Sequence, residues 1–211
     1  YSMDAITRGT TLTPDDAYRF ATGAPIELPG LDPQSPRGRN LQLDRPLDFA
    51  AVTDHAEWLG EVRLCGDPKS PVYESTGCRT FRGEEDAWIP WLMGLNESAQ
   101  KVSGIVGFTG RVEEVCGEDA ARCRAAAKTL WEQTQDAAER HYDRSTSCRF
   151  TTFHAWEYSR SPARSKVHRN VIFRNATVPE LPISWIDAPT ETVLWERLQE
   201  RCLDTDTNCD V

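Results

Sequence analysis

The chain has 211 residues, 39% of them hydrophobic and 27% charged, and a formal net charge of −9 from 24 Lys and Arg against 33 Asp and Glu. That length allows one domain or two small ones and is enough to bury a real apolar core. The composition argues against a disordered tail, and no apolar run approaches the roughly 18 residues a membrane span needs. The acidic balance and the absence of a basic patch argue against nucleic acid as the main partner.

Thr13-Pro14-Asp15-Asp16 predicts a helix start. Thr13 can cap, Pro14 suits the first helical position, and the two acids face the positive end of the dipole. This helix should run to about Thr22 and stop at Gly23. Residues 24–46 are rich in Pro and Gly and read as a loop. Leu47 to Thr53 is a short apolar run, expected as a buried strand that ends at Asp54-His55. Residues 63–83 read as a Gly/Pro/Cys loop, and 84–100 as a helix with Pro90 near its start or at a kink. Val102 to Val115 suggests strand pieces around glycines. Residues 118–142 carry the strongest helical pattern, with Cys123, Ala127, Leu130, Thr134, Ala137 and His141 at spacings of three and four. Two strands are expected at Phe150–Tyr158 and Val167–Arg174, then a helix at about 191–202 capped by Thr190. Strands mixed with helices predict an α/β architecture.

The seven cysteines form no Cys-x-x-Cys pair, which argues against a zinc ribbon or a thioredoxin-like site. Their spacing suggests three short local disulfides, Cys65–Cys78, Cys116–Cys123 and Cys202–Cys209, with Cys148 left over; the alternative is seven buried thiols. Such bridges persist in oxidising compartments, so the expected location is periplasmic or secreted. Asn96-Glu97-Ser98 and Asn175-Ala176-Thr177 match the N-glycosylation pattern.

Four histidines are available for chemistry: His55, His141, His154 and His168. His141, near the end of the long helix, reads as a favourable last-turn residue. His55 follows the expected strand within Asp54-His55-Ala56-Glu57, a polar cluster at a strand's carboxyl end, where α/β barrels place reactive groups. The segment 150–174 reads as a hairpin. A symmetric turn between Pro162 and Ala163 sets Glu157 opposite His168, on the same face as Asn170 and facing away from His154, Trp156 and Tyr158. A carboxylate and an imidazole so placed can hold a metal ion or form an ordinary cross-strand pair.

The stretch Pro46-Leu47-Asp48-Phe49-Ala50-Ala51-Val52-Thr53-Asp54-His55-Ala56-Glu57 resembles a bacterial family of unknown function, number 3604 in the domain-of-unknown-function series. Val167-His168-Arg169-Asn170-Val171-Ile172-Phe173-Arg174-Asn175 and the opening Tyr1-Ser2-Met3-Asp4-Ala5 look like the same family. That family is similar to the polymerase-and-histidinol-phosphatase (PHP) superfamily. The resemblance implies part of a distorted, TIM-like β/α barrel that binds divalent Zn, Mn or Fe and hydrolyses phosphoesters. It implies His55, Glu157 and His168 as metal ligands, Asp4 as a further acidic ligand, and Asp54 and Glu57 as supporting or proton-handling groups. The family also carries a His-x-His upstream of the Tyr-Ser-Met-Asp segment and further ligands downstream. The 211 residues are therefore expected to be the interior of a larger single domain.

The function expected on this basis is metal-assisted hydrolysis of a small anionic or phosphorylated substrate, with Arg169, Arg174 or Asn170 contacting it. The rival reading is a secreted, disulfide-stapled binding domain that uses some of the seven tryptophans as anchors. A cysteine-nucleophile hydrolase built on Cys148 has no evident base beside it.

Overall fold

A computed structural model of the chain describes residues 2–3, 12–28, 38–84, 110–160 and 166–211. Asp4, the body of the helix expected over 84–100, the strand pieces over 102–109 and the Asn96 motif lie outside the described residues.

Helix α1, Pro14–Ala21, begins with a reciprocal capping box. The Asp16 amide donates to Thr13 Oγ1 at 3.3 Å, and the Thr13 amide donates to Asp16 Oδ2 at 3.0 Å. The helix ends at Ala21, and Gly23 follows with φ +92°, a left-handed conformation suited to glycine. Residues 24–46 are more than a loop. Strands β1, Ile26–Leu28, and β2, Arg39–Leu41, pair antiparallel, with Ile26 opposite Leu41. Pro25 precedes β1 and occupies no ladder position, so it bounds this strand rather than breaking it.

The expected strand over 47–53 is shorter and less buried than its apolar run suggests. Strand β3 is Phe49–Ala51, and Leu47 and Phe49 are exposed. The region 63–83, expected as a loop, contains the end of helix α2, Leu59–Gly66, and all of helix α3, Thr76–Phe81. Both are too short to persist alone. The Cys65–Cys78 disulfide joins them. The α3 start is also held from outside: Ser75 Oγ accepts the Cys78 amide, and the Glu114 carboxylate accepts the amides of Thr76 and Gly77 at 3.2 and 2.8 Å. Gly60 brings α2 against the long helix, since a Cβ there would fall 2.1 Å from the Cys123 carbonyl oxygen.

Helix α4, Glu113–Cys116, occupies the end of a stretch expected to be extended. A 3-10 turn at Glu118–Ala120 leads into helix α5, Ala121–His141. Its buried stripe is Cys123, Leu130, Trp131, Thr134, Ala137 and Ala138. The Cys116–Cys123 disulfide ties α4 to the start of α5. The single strand expected at 150–158 divides at His154 into β4, Thr151–Phe153, and β5, Ala155–Arg160. Strand β6 is Val167–Ile172, and helix α6 is Glu191–Leu198, with Thr190 Oγ1 accepting the Val193 amide. A wider turn, Gln199–Leu203, carries Cys202, which bonds Cys209 in the third disulfide.

The result is a mixed α/β fold of small sheets and helices: β1 with β2, β3 parallel to β4, and β5 antiparallel to β6. No closed barrel forms among the described residues. One core gathers Trp131, Trp156, Tyr158, Val171, Phe173 and Ile183 with α6. A second, disulfide-rich core packs Trp58, Val62 and Phe81 around two of the bridges. Cys148 is free and exposed. No described helix is long and apolar enough to cross a membrane.

Thiol titration of the denatured, unreduced chain should find one free thiol, that of Cys148. Replacing both Cys65 and Cys78 by Ser should cost about 2–4 kcal/mol in chemical denaturation.

A second pair of expectations concerns acid. Burial pushes Asp15 up, but hydrogen bonds to His141 and Arg140 outweigh it and hold the carboxyl below its ordinary 3.8. Burial likewise raises Glu139, and bonds to Arg144 and His154 bring it below 4.5. A carboxyl depressed on folding contributes stability above its unfolded pKa and loses it as pH falls through the folded value. Denaturant titrations should therefore show stability falling as pH drops below about 4.5. The Asp15→Asn/Glu139→Gln variant should show a shallower acid limb.

Candidate metal centre

The site is built on a strand register. Phe49 lies opposite Thr151, Ala51 opposite Phe153, and His55 opposite Glu157. The offset is 102 residues in each case, so the parallel pairing that begins at β3 continues in step as far as His55. Its last rungs are the Glu157 amide donating to the Asp54 carbonyl and the Ala56 amide donating to the Glu157 carbonyl, both at 2.9 Å. On the other edge of β5 lies β6. His55, Glu157 and His168 thus sit on three neighbouring chain segments.

The β5–β6 register differs from the one expected. Glu157 lies opposite Asn170, and His168 lies opposite Ser159. The shift is two residues, so every side chain keeps its face. The reason lies on the other face. The observed register sets Trp156 against Val171 in the core, whereas a turn centred between Pro162 and Ala163 would have set Trp156 against Arg169. Burial of an aromatic pair position outweighs the symmetry of the turn.

His55 is nearly buried, and its Nε2 lies 3.8 Å from Glu157 Oε2. The other oxygen, Glu157 Oε1, contacts His168 Nδ1. One carboxylate therefore faces two imidazoles, one with each oxygen, and the ring centroids are 6.1 Å apart. Ser159 completes the group. Its hydroxyl donates to Glu157 Oε1 at 2.9 Å and lies 2.9 Å from His168 Nδ1. The assumed turn centre placed Lys166 opposite Ser159; with the core-facing register, Ser159 would have been found beside His168.

Behind His55 stands Glu57, fully buried. Its Oε1 accepts the amides of Ser159 at 3.1 Å and Trp185 at 3.2 Å. Among the described residues its Oε2 has no hydrogen-bond partner, and it lies 3.5 Å from His55 Nδ1. A carboxyl group behind one ring nitrogen fixes which way the ring faces and turns the other nitrogen outward. Immediately after Glu57 the chain bends sharply: Trp58 has φ 51°, rare for a bulky residue. That bend carries the chain from the strand into α2, and Trp58 is held there edge-on against Trp185.

The remaining candidates are placed as follows. Asp54 supplies its backbone carbonyl to Glu157, and its carboxylate adds to the burial that raises the Tyr18 hydroxyl pKa. Arg169 pairs across from Tyr158, on the opposite face from His168, and donates to the His168 carbonyl at 3.1 Å. Asn170 is exposed beside Glu157. Arg174 pairs with Asp210. His154 is buried, bonded to Glu139 at 2.8 Å, and away from the site. His141 pairs with Asp15. The Asn175 amide is held by the Asn208 carbonyl. Asp4 is outside the described residues.

A family model matches residues 1–211 from end to end. The chain belongs to the DUF3604 family. Its description is "protein of unknown function", so membership establishes kinship and leaves the chemistry to the residues. No curated protein and no solved structure matches the chain.

In this DUF3604 chain a cluster away from Glu157 brings three potential ligand atoms together. Among the described residues, Glu61, Cys116 and Cys123 are the group whose ligand atoms all lie within 4.8 Å of one another. Those cysteines are bonded to each other and offer no thiolate. Cys116 Sγ, 3.3 Å from Glu61 Oε1, carries no proton to donate. The buried Glu61 instead receives Arg111, whose Nη1 lies 3.2 Å from both oxygens while Nη2 reaches Asp187. Burial raises the Glu61 pKa, and Arg111 works against that rise. This is a structural ion pair. Removing Arg111 strands a buried carboxylate, so Arg111→Ala should destabilise the fold, toward the lower end of about 3–5 kcal/mol, by chemical denaturation. Glu61→Gln combined with Arg111→Met should recover most of the loss.

Proposed function

We propose that this protein is a metal-dependent hydrolase acting on phosphoesters, with His55, Glu157 and His168 as metal ligands. The observation that carries the reading is Glu157, whose two oxygens each face a different imidazole. An ordinary cross-strand Glu–His pair needs one histidine; here a second, nearly buried imidazole faces the same carboxylate. The donor set of two imidazoles and a carboxylate suits Zn, Mn or Fe. The buried carboxyl of Glu57, with one oxygen 3.5 Å from His55 Nδ1, suits the role of orienting that ligand. When bound, divalent ions at such a site lower the pKa of a coordinated water toward about 7 and polarise phosphoryl oxygens.

The chain's own groups divide the remaining work. Glu57 holds the His55 ring so that Nε2 faces Glu157. Ser159 bonds Glu157 Oε1 and fixes the carboxylate plane. Asn170, exposed next to Glu157, is placed to contact a substrate oxygen. Arg169 reaches an anionic substrate only by crossing the strand edge, which makes it the weaker candidate. The similarity to PHP-like domains supports Asp4 as a further ligand, Asp54 as a proton-handling group and the distorted β/α barrel as the complete architecture. Three disulfides support a periplasmic or secreted location.

Elemental analysis of the full-length protein after dialysis tests this. The wild type should retain divalent metal, Glu157→Ala and His168→Ala should lose it, and Glu57→Gln should bind it about 10–100-fold more weakly. Unchanged metal content in both Glu157→Ala and His168→Ala would overturn the assignment.

A further inference from the structure

A cavity of about 630 Å³ opens between α2, the first half of α5 and the segment around Pro179–Pro182. None of His55, Glu157, Ser159 or His168 lines it. Its walls include Leu59, Ala127 and Leu181, and its polar groups are Arg111, Arg124, Arg201, Glu180 and Asp187. The size lies within the roughly 300–1,000 Å³ typical of small-molecule sites.

The charges in the cavity are unevenly committed. Asp187 is taken by Arg111 and by the Ser184 hydroxyl at 2.7 Å, and Glu180 by Lys128. Arg111 is spent on Glu61 and Asp187. Arg124 bonds a backbone carbonyl, that of Asp119, and no carboxylate among the described residues. Arg201 has no ion-pair or hydrogen-bond partner among the described residues. Both lining acids are therefore already neutralised, while two guanidinium groups remain available. In a chain of net charge −9, this is a local reversal of sign. A guanidinium fork matches the paired oxygens of a phosphate, phosphonate or carboxylate, and the apolar walls suit a hydrocarbon body.

We infer that this cavity is a second binding site, separate from the candidate metal centre, for a small organic oxyanion whose charged group sits between Arg124 and Arg201 and whose apolar body lies against Leu59, Ala127 and Leu181. The site stands independently of the hydrolase reading.

The cavity carries its own reporter. Trp131 Nε1 donates to the Pro179 carbonyl at 2.9 Å, and Pro179 lines the wall. Phenylphosphonate, which has no ester bond to cleave, and inorganic phosphate are titrated at constant ionic strength while the Trp131 indole N–H resonance is followed. The expected result is a saturable shift, with phenylphosphonate binding more tightly than phosphate. Arg124→Ala/Arg201→Ala should weaken phenylphosphonate at least tenfold, Arg201→Glu should abolish its binding, and His168→Ala should leave it within twofold. Both arginines are exposed, and an unchanged near-UV dichroism spectrum establishes that the variants fold. Three outcomes overturn the site: no saturable shift, equal affinity in the double arginine variant, or loss of binding in His168→Ala, which would place the ligand at the metal centre instead.

Discussion

A carboxyl group sealed from water has to be satisfied by the protein, and Glu57 is satisfied by the backbone. Its Oε1 collects the amides of Ser159 and Trp185, residues 102 and 128 positions away in sequence. An unmet buried acceptor costs on the order of 1–3 kcal/mol, so those three segments are held at one point. The strand that ends at His55, the strand that carries Glu157, and the segment that closes the core around Trp185 all meet at this side chain. Only one of its oxygens is used in this way. The other is left directed at His55, so a group that serves the fold also sets the orientation of a candidate ligand.

The same economy appears in the sheet. Strand β5 has two different faces. Trp156 and Tyr158 face the core, and Glu157 and Ser159 face the site. The core face decides the register, because sliding the hairpin would set Trp156 against Arg169. Once Trp156 meets Val171, the positions of His168 and Asn170 relative to Glu157 follow without further instruction. On the other edge, parallel pairing at a constant offset delivers His55 to the same carboxylate. The candidate centre is in this sense a by-product of two registers, each fixed by backbone hydrogen bonds and apolar burial.

Around the strands, the small helices depend on covalent and ionic anchors. Helices α2, α3 and α4 bury Val62, Cys65, Cys78, Phe81 and Val115 in one small core. Two disulfides and the buried Glu61–Arg111 pair hold it against the start of α5. Gly60 permits the close approach, since any side chain there would enter the Cys123 backbone. The charged groups elsewhere work locally, with Asp15 and Glu139 fastening the end of α5 to α1 and to His154.

Much of this could be read from the sequence. The α1 cap at Thr13, the periodic stripe of α5, the Thr190 cap and the three local cysteine pairs are encoded within a few residues of one another, and short-range physics suffices to read them. The separation of Glu157 and His168 from His154, Trp156 and Tyr158 is equally local, because strand alternation has a fixed period. Family membership was legible in the same way, in the motifs around His55 and His168. What the sequence left open were the features that depend on distant partners. Two short helices formed in and beside 63–83 because a disulfide and Glu114 hold them, and a Pro-rich stretch formed a strand pair because each strand had the other. The hairpin register was set by a core that no turn motif encodes, which is why Ser159 went unseen. That Glu57 stands behind His55, and that Arg124 and Arg201 share a cavity, were decided only by the tertiary structure, since both depend on bringing together segments far apart in the chain.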